Sequence, residues 1–186
     1  ASIDMFENTS DPKYLLFATN LANHLITHFW DDSTHGFFFT SDDHEKLIIR
    51  PKNNYDLSMP SGNSVAAHVL LRLHYITQNK QFLETTKKII ESQATSAAEN
   101  PFAFGYLLNV LYLYHKQPTE ITVLNDKNHE LISSLQKKFL PESIMIIVRQ
   151  KNNLDSLSKY AFFSGKEFPD DKTSVFVCKN FSCSLP

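Results

Sequence analysis

Ser61-Gly62-Asn63-Ser64-Val65-Ala66-Ala67-His68-Val69-Leu70-Leu71-Arg72-Leu73-His74-Tyr75-Ile76-Thr77 reads as a helix with its start signal in place. The Ser61 hydroxyl can accept one of the free N–H groups of a first helical turn, and Gly62 and Asn63 fall inside that turn. At about 100° per residue, Ser64, His68, Leu71 and Tyr75 form one stripe, opposite Ala66, Val69, Leu70 and Leu73. Outward from it, Gln78-Asn79-Lys80 is a short polar link to a helix over about 81–95. Asn100-Pro101 opens another over 101–115, with Asn as cap and Pro at the first helical position. Before it, Asp11-Pro12 starts a helix over 12–30, with Tyr14, Phe17, Ala18, Leu21, Ala22, Leu25 and Phe29 recurring three and four residues apart. Short links make consecutive helices antiparallel neighbours, so residues 1–117 are expected to form a helical-hairpin array.

Within that array, Gly36 opens Phe37-Phe38-Phe39-Thr40, which reads as a short strand. Leu47-Ile48-Ile49-Arg50 is its expected partner across the acidic turn 41–46, giving a polar β-hairpin loop over 36–52. The character changes near Gln117-Pro118. Glu120–Leu124 and Ser143–Val148 are nearly continuous apolar runs, as for strands buried on both faces. Leu131, Ile132, Leu135 and Phe139 lie between them at helical spacing, which predicts a parallel strand-helix-strand unit. A less regular helical stretch near 154–162 and a strand over Ser174–Cys178 complete a small α/β module, 118–186. The turn Asn125-Asp126-Lys127-Asn128 lacks the glycines of a dinucleotide site. The fold class is therefore mainly α with a small α/β module.

The 186 residues are 42% hydrophobic and 20% charged, enough for a packed core and unlike a disordered segment. Fifteen Phe and seven Tyr fall at helix and strand spacings and read mostly as core. A net charge of −2 without a basic run gives no reason to expect a nucleic-acid partner. No stretch approaches the roughly 20 apolar residues of a membrane span, and no signal-peptide pattern stands at the start. The chain begins at Ala1 rather than Met, as expected of a processed or excised piece. Two cysteines at C-x4-C spacing do not make a disulfide framework, and a reducing cytoplasm is the expected location. No cofactor is implied.

Two blocks carry a resemblance. Thr40-Ser41-Asp42-Asp43-His44-Glu45-Lys46-Leu47-Ile48-Ile49-Arg50-Pro51-Lys52 and Met59-Pro60-Ser61-Gly62-Asn63-Ser64-Val65-Ala66-Ala67-His68 pack three acids, two histidines and three bases around a polar helix start. With the tail Val177-Cys178-Lys179-Asn180-Phe181-Ser182-Cys183-Ser184-Leu185-Pro186, they resemble thioredoxin-domain proteins related to the spermatogenesis-associated thioredoxin-like protein. The resemblance implies a thioredoxin-like domain joined to an (α/α)6 toroid of the six-hairpin glycosidase and N-acylglucosamine-epimerase type. This chain has no Cys-x-x-Cys and about half the helices of a toroid. It looks like the C-terminal portion, a partial toroid followed by the strand-helix-strand unit. Self-association through exposed apolar helix faces is then expected.

The chemistry on offer can be read two ways at each residue. Asp43, His44 and Glu45 at a hairpin tip, with His68, could supply general acid and base to glycoside hydrolysis or sugar epimerisation; as a plain acidic turn they would make local backbone bonds. Arg50 and Lys52 could recognise a carboxylate, phosphate or sugar hydroxyls, or pair with neighbouring acids. Asp42, at the same hairpin tip, could bind a substrate or make local backbone bonds in an acidic turn, and Ser61, Asn63 and Ser64 could bind a sugar at the helix N-terminus, or serve as a cap. In a toroid, Ser64 and His68 would line the axial cavity. Asp-x-His spacing gives two metal ligands with no recognisable third or fourth. Cys178 and Cys183 could be a redox pair, or Cys178 a small buried hydrophobe. Phe102, Phe104 and Tyr106 could stack on a sugar or pack inside. Two functions compete: a carbohydrate-binding or carbohydrate-processing region, and a non-catalytic interaction or regulatory region accompanying a thioredoxin-like domain.

Overall fold

The computed structural model describes residues 1–45, 48–127 and 129–183. Among them the chain is mainly helical with a small four-stranded mixed sheet. The helices are α1 (Ser2–Thr9), α2 (Pro12–Phe29), α3 (Gly62–Thr77), α4 (Lys80–Glu99), α5 (Gly105–Lys116), α6 (Glu130–Gln136) and α7 (Lys151–Leu157). The strands are β1 (Thr119–Leu124), β2 (Ser143–Val148), β3 (Ser174–Lys179) and β4 (Ser182–Cys183). Two compact units emerge: 1–18 with 75–78 and 116–186, and 19–74 with 79–115.

In the helical unit the start signals work as chemistry demands. Ser61 Oγ accepts from Ser64 N at 3.1 Å, and Asn79 Oδ1 accepts from Gln81 N at 3.0 Å. Asn100 differs from expectation. Its side chain makes no cap; a 3₁₀ turn, Pro101–Phe104, follows it, and α5 begins only at Gly105. Helix α3 is interior on both stripes. Ser64, Leu70, Leu71 and Leu73 are all fully buried, so the stripe through Ser64 is packed rather than facing open space.

The expected hairpin over 36–52 is corrected. Lys46 and Leu47 lie outside the described residues, and Ile48–Arg50 form no strand. Phe37 makes a single antiparallel bridge, to Trp30, and Phe39 N donates to Pro51 O at 2.9 Å. Pro51 has no N–H with which to return that bond, so a ladder cannot propagate through it.

The α/β unit follows its apolar runs. Strands β1 and β2 pair in parallel around α6, as expected, and β3 pairs antiparallel on the other side of β1. Ile121, Val123, Ile132 and Ile147 form a core on one face, with Leu131, Leu135, Met145 and Val175 packed against it. Helix α6 ends before Phe139, which is exposed rather than part of the apolar stripe. Helix α1, unforeseen in the sequence, packs against β2. Phe6 meets Phe163 edge-on at 6.3 Å between centroids, and Asn153 Nδ2 donates to Thr9 O and Ser10 Oγ.

A free-thiol reading of the tail is also corrected. Cys178 and Cys183 form a disulfide across the β3–β4 hairpin, where they are direct cross-strand partners. Asn180 and Phe181, both at positive φ, make the two-residue turn between the strands. Ser184–Pro186 lie outside the described residues. Among the described residues, no helix is long and apolar enough to cross a membrane.

Candidate functional site

The polar loop between α2 and α3 is built on main-chain anchors. At the C-terminus of α2, the His28 carbonyl accepts from Asp42 N at 2.9 Å and from Arg50 Nη2 at 3.1 Å. The Arg50 guanidinium also donates to Thr40 O through Nε and Nη2, and stacks over the Phe38 ring at 4.3 Å. A cation at a helix C-terminus satisfies carbonyls that have no partner inside the helix. Arg50 is thus held by backbone oxygens rather than by neighbouring acids.

Lys52 pairs with Asp31, a residue outside the two motif blocks. Its ammonium bonds Asp31 Oδ2, Thr34 Oγ1 and His35 O; the Lys52 and Asp31 side chains are only 16% and 11% exposed. Asp31 also accepts from Ser33 N and Oγ and from Thr34 Oγ1. Lys52 foremost, then Ser33, holds the Asp31 carboxyl well below the usual carboxylate range. Both Asp31 oxygens are thus engaged within the loop, Oδ1 by Ser33 and Oδ2 by Thr34 and Lys52.

Asn63 clamps the loop from the first turn of α3. Its Oδ1 accepts from Phe37 N at 2.6 Å, and its Nδ2 donates to Phe37 O at 3.1 Å and Asn53 O at 3.0 Å. Gly36, at φ +90°, makes room for it: a Cβ there would lie 3.0 Å from Asn63 Oδ1. Asp56 does the same work for the helix starts. Oδ1 accepts from Ser61 N at 2.7 Å, while Oδ2 accepts from Tyr106 N at 2.8 Å and Leu107 N at 3.0 Å. One buried carboxylate therefore caps α3 and α5 together. Ser61 and Ser64 bond each other at 2.8 Å inside this arrangement.

A cleft of about 210 Å³ lies beside the clamp, lined by Leu25, Phe29, Phe37, Phe39, Asn63 and Ala66 among others. Its walls are chiefly apolar, and the amide of Asn63 is already taken up by Phe37 and Asn53. The expected catalytic residues are distributed. His68 bonds Tyr106 Oη at 2.7 Å. Asp43 bonds Ser41 Oγ, chiefly through which its carboxyl is lowered from the ordinary value, with His28 and His24 adding a smaller pull. His44 and Glu45 are exposed. Phe104 is buried against Tyr55 at 5.4 Å while Phe102 stands 96% exposed, so they form no shared stacking platform.

The structure does bring together groups that sequence spacing keeps apart. His28 Nδ1 lies 2.8 Å from Asp42 Oδ1, and donor atoms of His28, Asp42 and Asp43 fall within 4.8 Å of one another. This grouping is not the Asp-x-His pair of Asp42 and His44: His28 and Asp43 join Asp42, and His44 is not among them. In the α/β unit, Glu120 is buried in β1, its Oε1 accepting from Phe181 N at 3.1 Å while Oε2 has no partner among the described residues. Burial pushes that carboxyl up and pushes the Lys166 ammonium down. A lone charged residue in an otherwise apolar run was the available signal for Glu120; nothing in the sequence singled out His28 or Asp31.

No family model matches the chain. It is similar to spermatogenesis-associated protein 20 of Homo sapiens, 24% identical over 189 residues that cover 99% of this chain and 24% of that protein. The same-named protein of Rattus norvegicus is 23% identical over 189 residues, again 99% of this chain and 24% of the relative. An uncharacterized protein of Caenorhabditis elegans is 24% identical over 190 residues, 100% of this chain and 25% of its own length. The chain spans about a quarter of the length of the curated relatives it matches.

Proposed function

We propose that this chain is a non-catalytic structural and interaction region of a longer protein similar to spermatogenesis-associated protein 20. In that protein it would accompany a thioredoxin-like domain and contribute helical hairpins to an (α/α)6 toroid. The observation that carries this reading is the use made of the polar loop. Arg50, Lys52 and Asn63 donate to this chain's own carbonyls and to the Asp31 carboxylate, and Asp56 accepts from its main-chain amides. A sugar site needs convergent donors and acceptors left over for the ligand. Here the hydrogen bonds hold three segments in register instead.

An interaction role is further supported by the apolar surface around Asp56. Asp56 N donates to Ala103 O at 2.7 Å, which joins the loop carrying Leu57 and Met59 to the turn carrying Phe102. These three side chains are 80%, 76% and 96% exposed, costly surface for an isolated chain and ordinary for one side of a contact. Ligand-observed NMR against mono- and disaccharides, amino sugars and uronic acids tests the reading. No saturable binding is expected, while Asn63→Ala and Lys52→Ala lower the melting temperature. Saturable sugar binding that disappears in both Asp43→Ala and His68→Ala would replace this proposal with a carbohydrate-processing one.

A further inference from the structure

His24 and His28 lie one turn apart near the end of α2, their ring centroids 4.5 Å apart. Residues at i and i+4 share a helix face, the spacing by which two imidazoles reach a single ion. The loop returns to this helix end and is fastened there by Asp42 N and Arg50 on the His28 carbonyl. That fastening delivers two carboxylates to His28. Asp42 Oδ1 lies 2.8 Å from Nδ1, and one donor atom each from His28, Asp42 and Asp43 lie within 4.8 Å of one another. Ser41 bonds Asp43 through Oδ1, which leaves Oδ2 to turn toward the cluster.

We propose that His28, Asp42 and Asp43, with the His24 ring beside them, form a binding site for a divalent transition cation of the Zn²⁺ type. Mixed imidazole and carboxylate donors suit Zn²⁺ and its neighbours better than Ca²⁺ or Mg²⁺, which take oxygen ligands almost exclusively. In a tetrahedral site with metal–ligand bonds of about 2.1 Å, donors sit about 3.4 Å apart. The ion would take the place of the proton between His28 and Asp42, opening that pair from 2.8 Å, while donors up to 4.8 Å apart draw in around it. The main chain of the loop is already pinned to the helix, so little ordering remains to be done when the ion enters. Asp42 and Asp43 are exposed and His28 partly so, which leaves a coordination position open to water.

The test is calorimetric titration of the intact chain with Zn²⁺ alone, repeated with Co²⁺ to read its visible absorption. Wild type is compared with His28→Ala, with Asp42→Asn combined with Asp43→Asn, and with His115→Ala as a distant exposed histidine. Circular dichroism confirms that each variant is folded. The expected result is one saturable ion per chain with a Co²⁺ spectrum typical of four or five ligands. Affinity should fall by about tenfold or more in the first two variants and stay unchanged in the third. No saturable binding by wild type overturns the proposal, as does binding that His28→Ala leaves intact or that His115→Ala weakens equally.

Discussion

Replacing Asp56 by Asn preserves the side chain's shape and removes the charge that three main-chain N–H groups share. The carboxylate receives Ser61 N on one oxygen and both Tyr106 N and Leu107 N on the other, and it is 7% exposed. An amide has one acceptor oxygen. In its better orientation that oxygen faces Tyr106 and Leu107, and the NH₂ group then opposes Ser61 N. Hydrogen bonds to charged groups contribute about 1.5–3 kcal/mol and neutral ones about 1 kcal/mol. Losing one charged bond and downgrading two gives a destabilisation of roughly 3–5 kcal/mol. For a chain of this size, melting moves by about 2–4 °C per kcal/mol, so a drop near 10 °C is expected. Thermal and urea unfolding followed by circular dichroism would measure it. Amide hydrogen exchange adds a second check, because Ser61, Tyr106 and Leu107 should lose protection together. A change below about 1 kcal/mol, or lost protection at Ser61 alone, would refute the idea that this carboxylate caps two helices at once.

Three further outcomes follow from buried charge and covalent linkage. The Asp31 carboxyl is lowered in the folded state, so its contribution is present above the ordinary carboxylate value of about 4 and is lost as pH falls below it. Urea midpoints of wild type and Asp31→Asn should therefore differ at neutral pH and converge in acid; parallel curves would contradict this. Glu120 has the opposite sign: its folded carboxyl is raised, so stability falls as pH rises from the ordinary value through the raised one. Glu120→Gln should remove that slope and melt higher at alkaline pH, and a variant less stable at every pH would count against the burial argument. Cys178 and Cys183 are five residues apart, and closing so short a loop stabilises by about 2 kcal/mol in the chain-entropy picture. Reduction by a dithiol should lower the melting temperature accordingly, and two titratable thiols in the unreduced, unfolded chain would show that no such bond exists.

The parts of this fold that rest on local periodicity are legible in the chain. The stripes of 12–30, 61–77 and 81–95 and the apolar runs of β1 and β2 each report a face to be buried, and each element formed where its pattern lies. The polar loop is different because its partners are distant. Nothing near Asp56 announces that its second oxygen will meet α5, fifty residues on. Nor does the run Phe37–Phe39 reveal that it is held by an asparagine clamp instead of a strand. Pro51 was the one local clue, since it removes a ladder donor. His28 is similarly hidden: it lies at the end of α2, and its acidic partners come from a loop fourteen residues on. Helix α1 is short, with only Ile3 and Phe6 buried, too few positions to establish a period. The disulfide is not legible from C-x4-C spacing alone, because what brings the two thiols together is the β3–β4 pairing that makes them direct cross-strand partners.

The Gly36–Asn63 contact carries a consequence for the order in which changes can accumulate. Position 36 is constrained twice, by its left-handed backbone and by the amide oxygen standing where a methyl group would go. A side chain introduced there first meets both penalties and also displaces the clamp. If position 63 shrinks first, only the backbone penalty of about 1–2 kcal/mol remains at position 36. The two substitutions are therefore epistatic with a direction: the double variant should be less destabilised than the sum of the singles. A drifting lineage can pass through the loss of Asn63 to the loss of Gly36, and far less readily the other way.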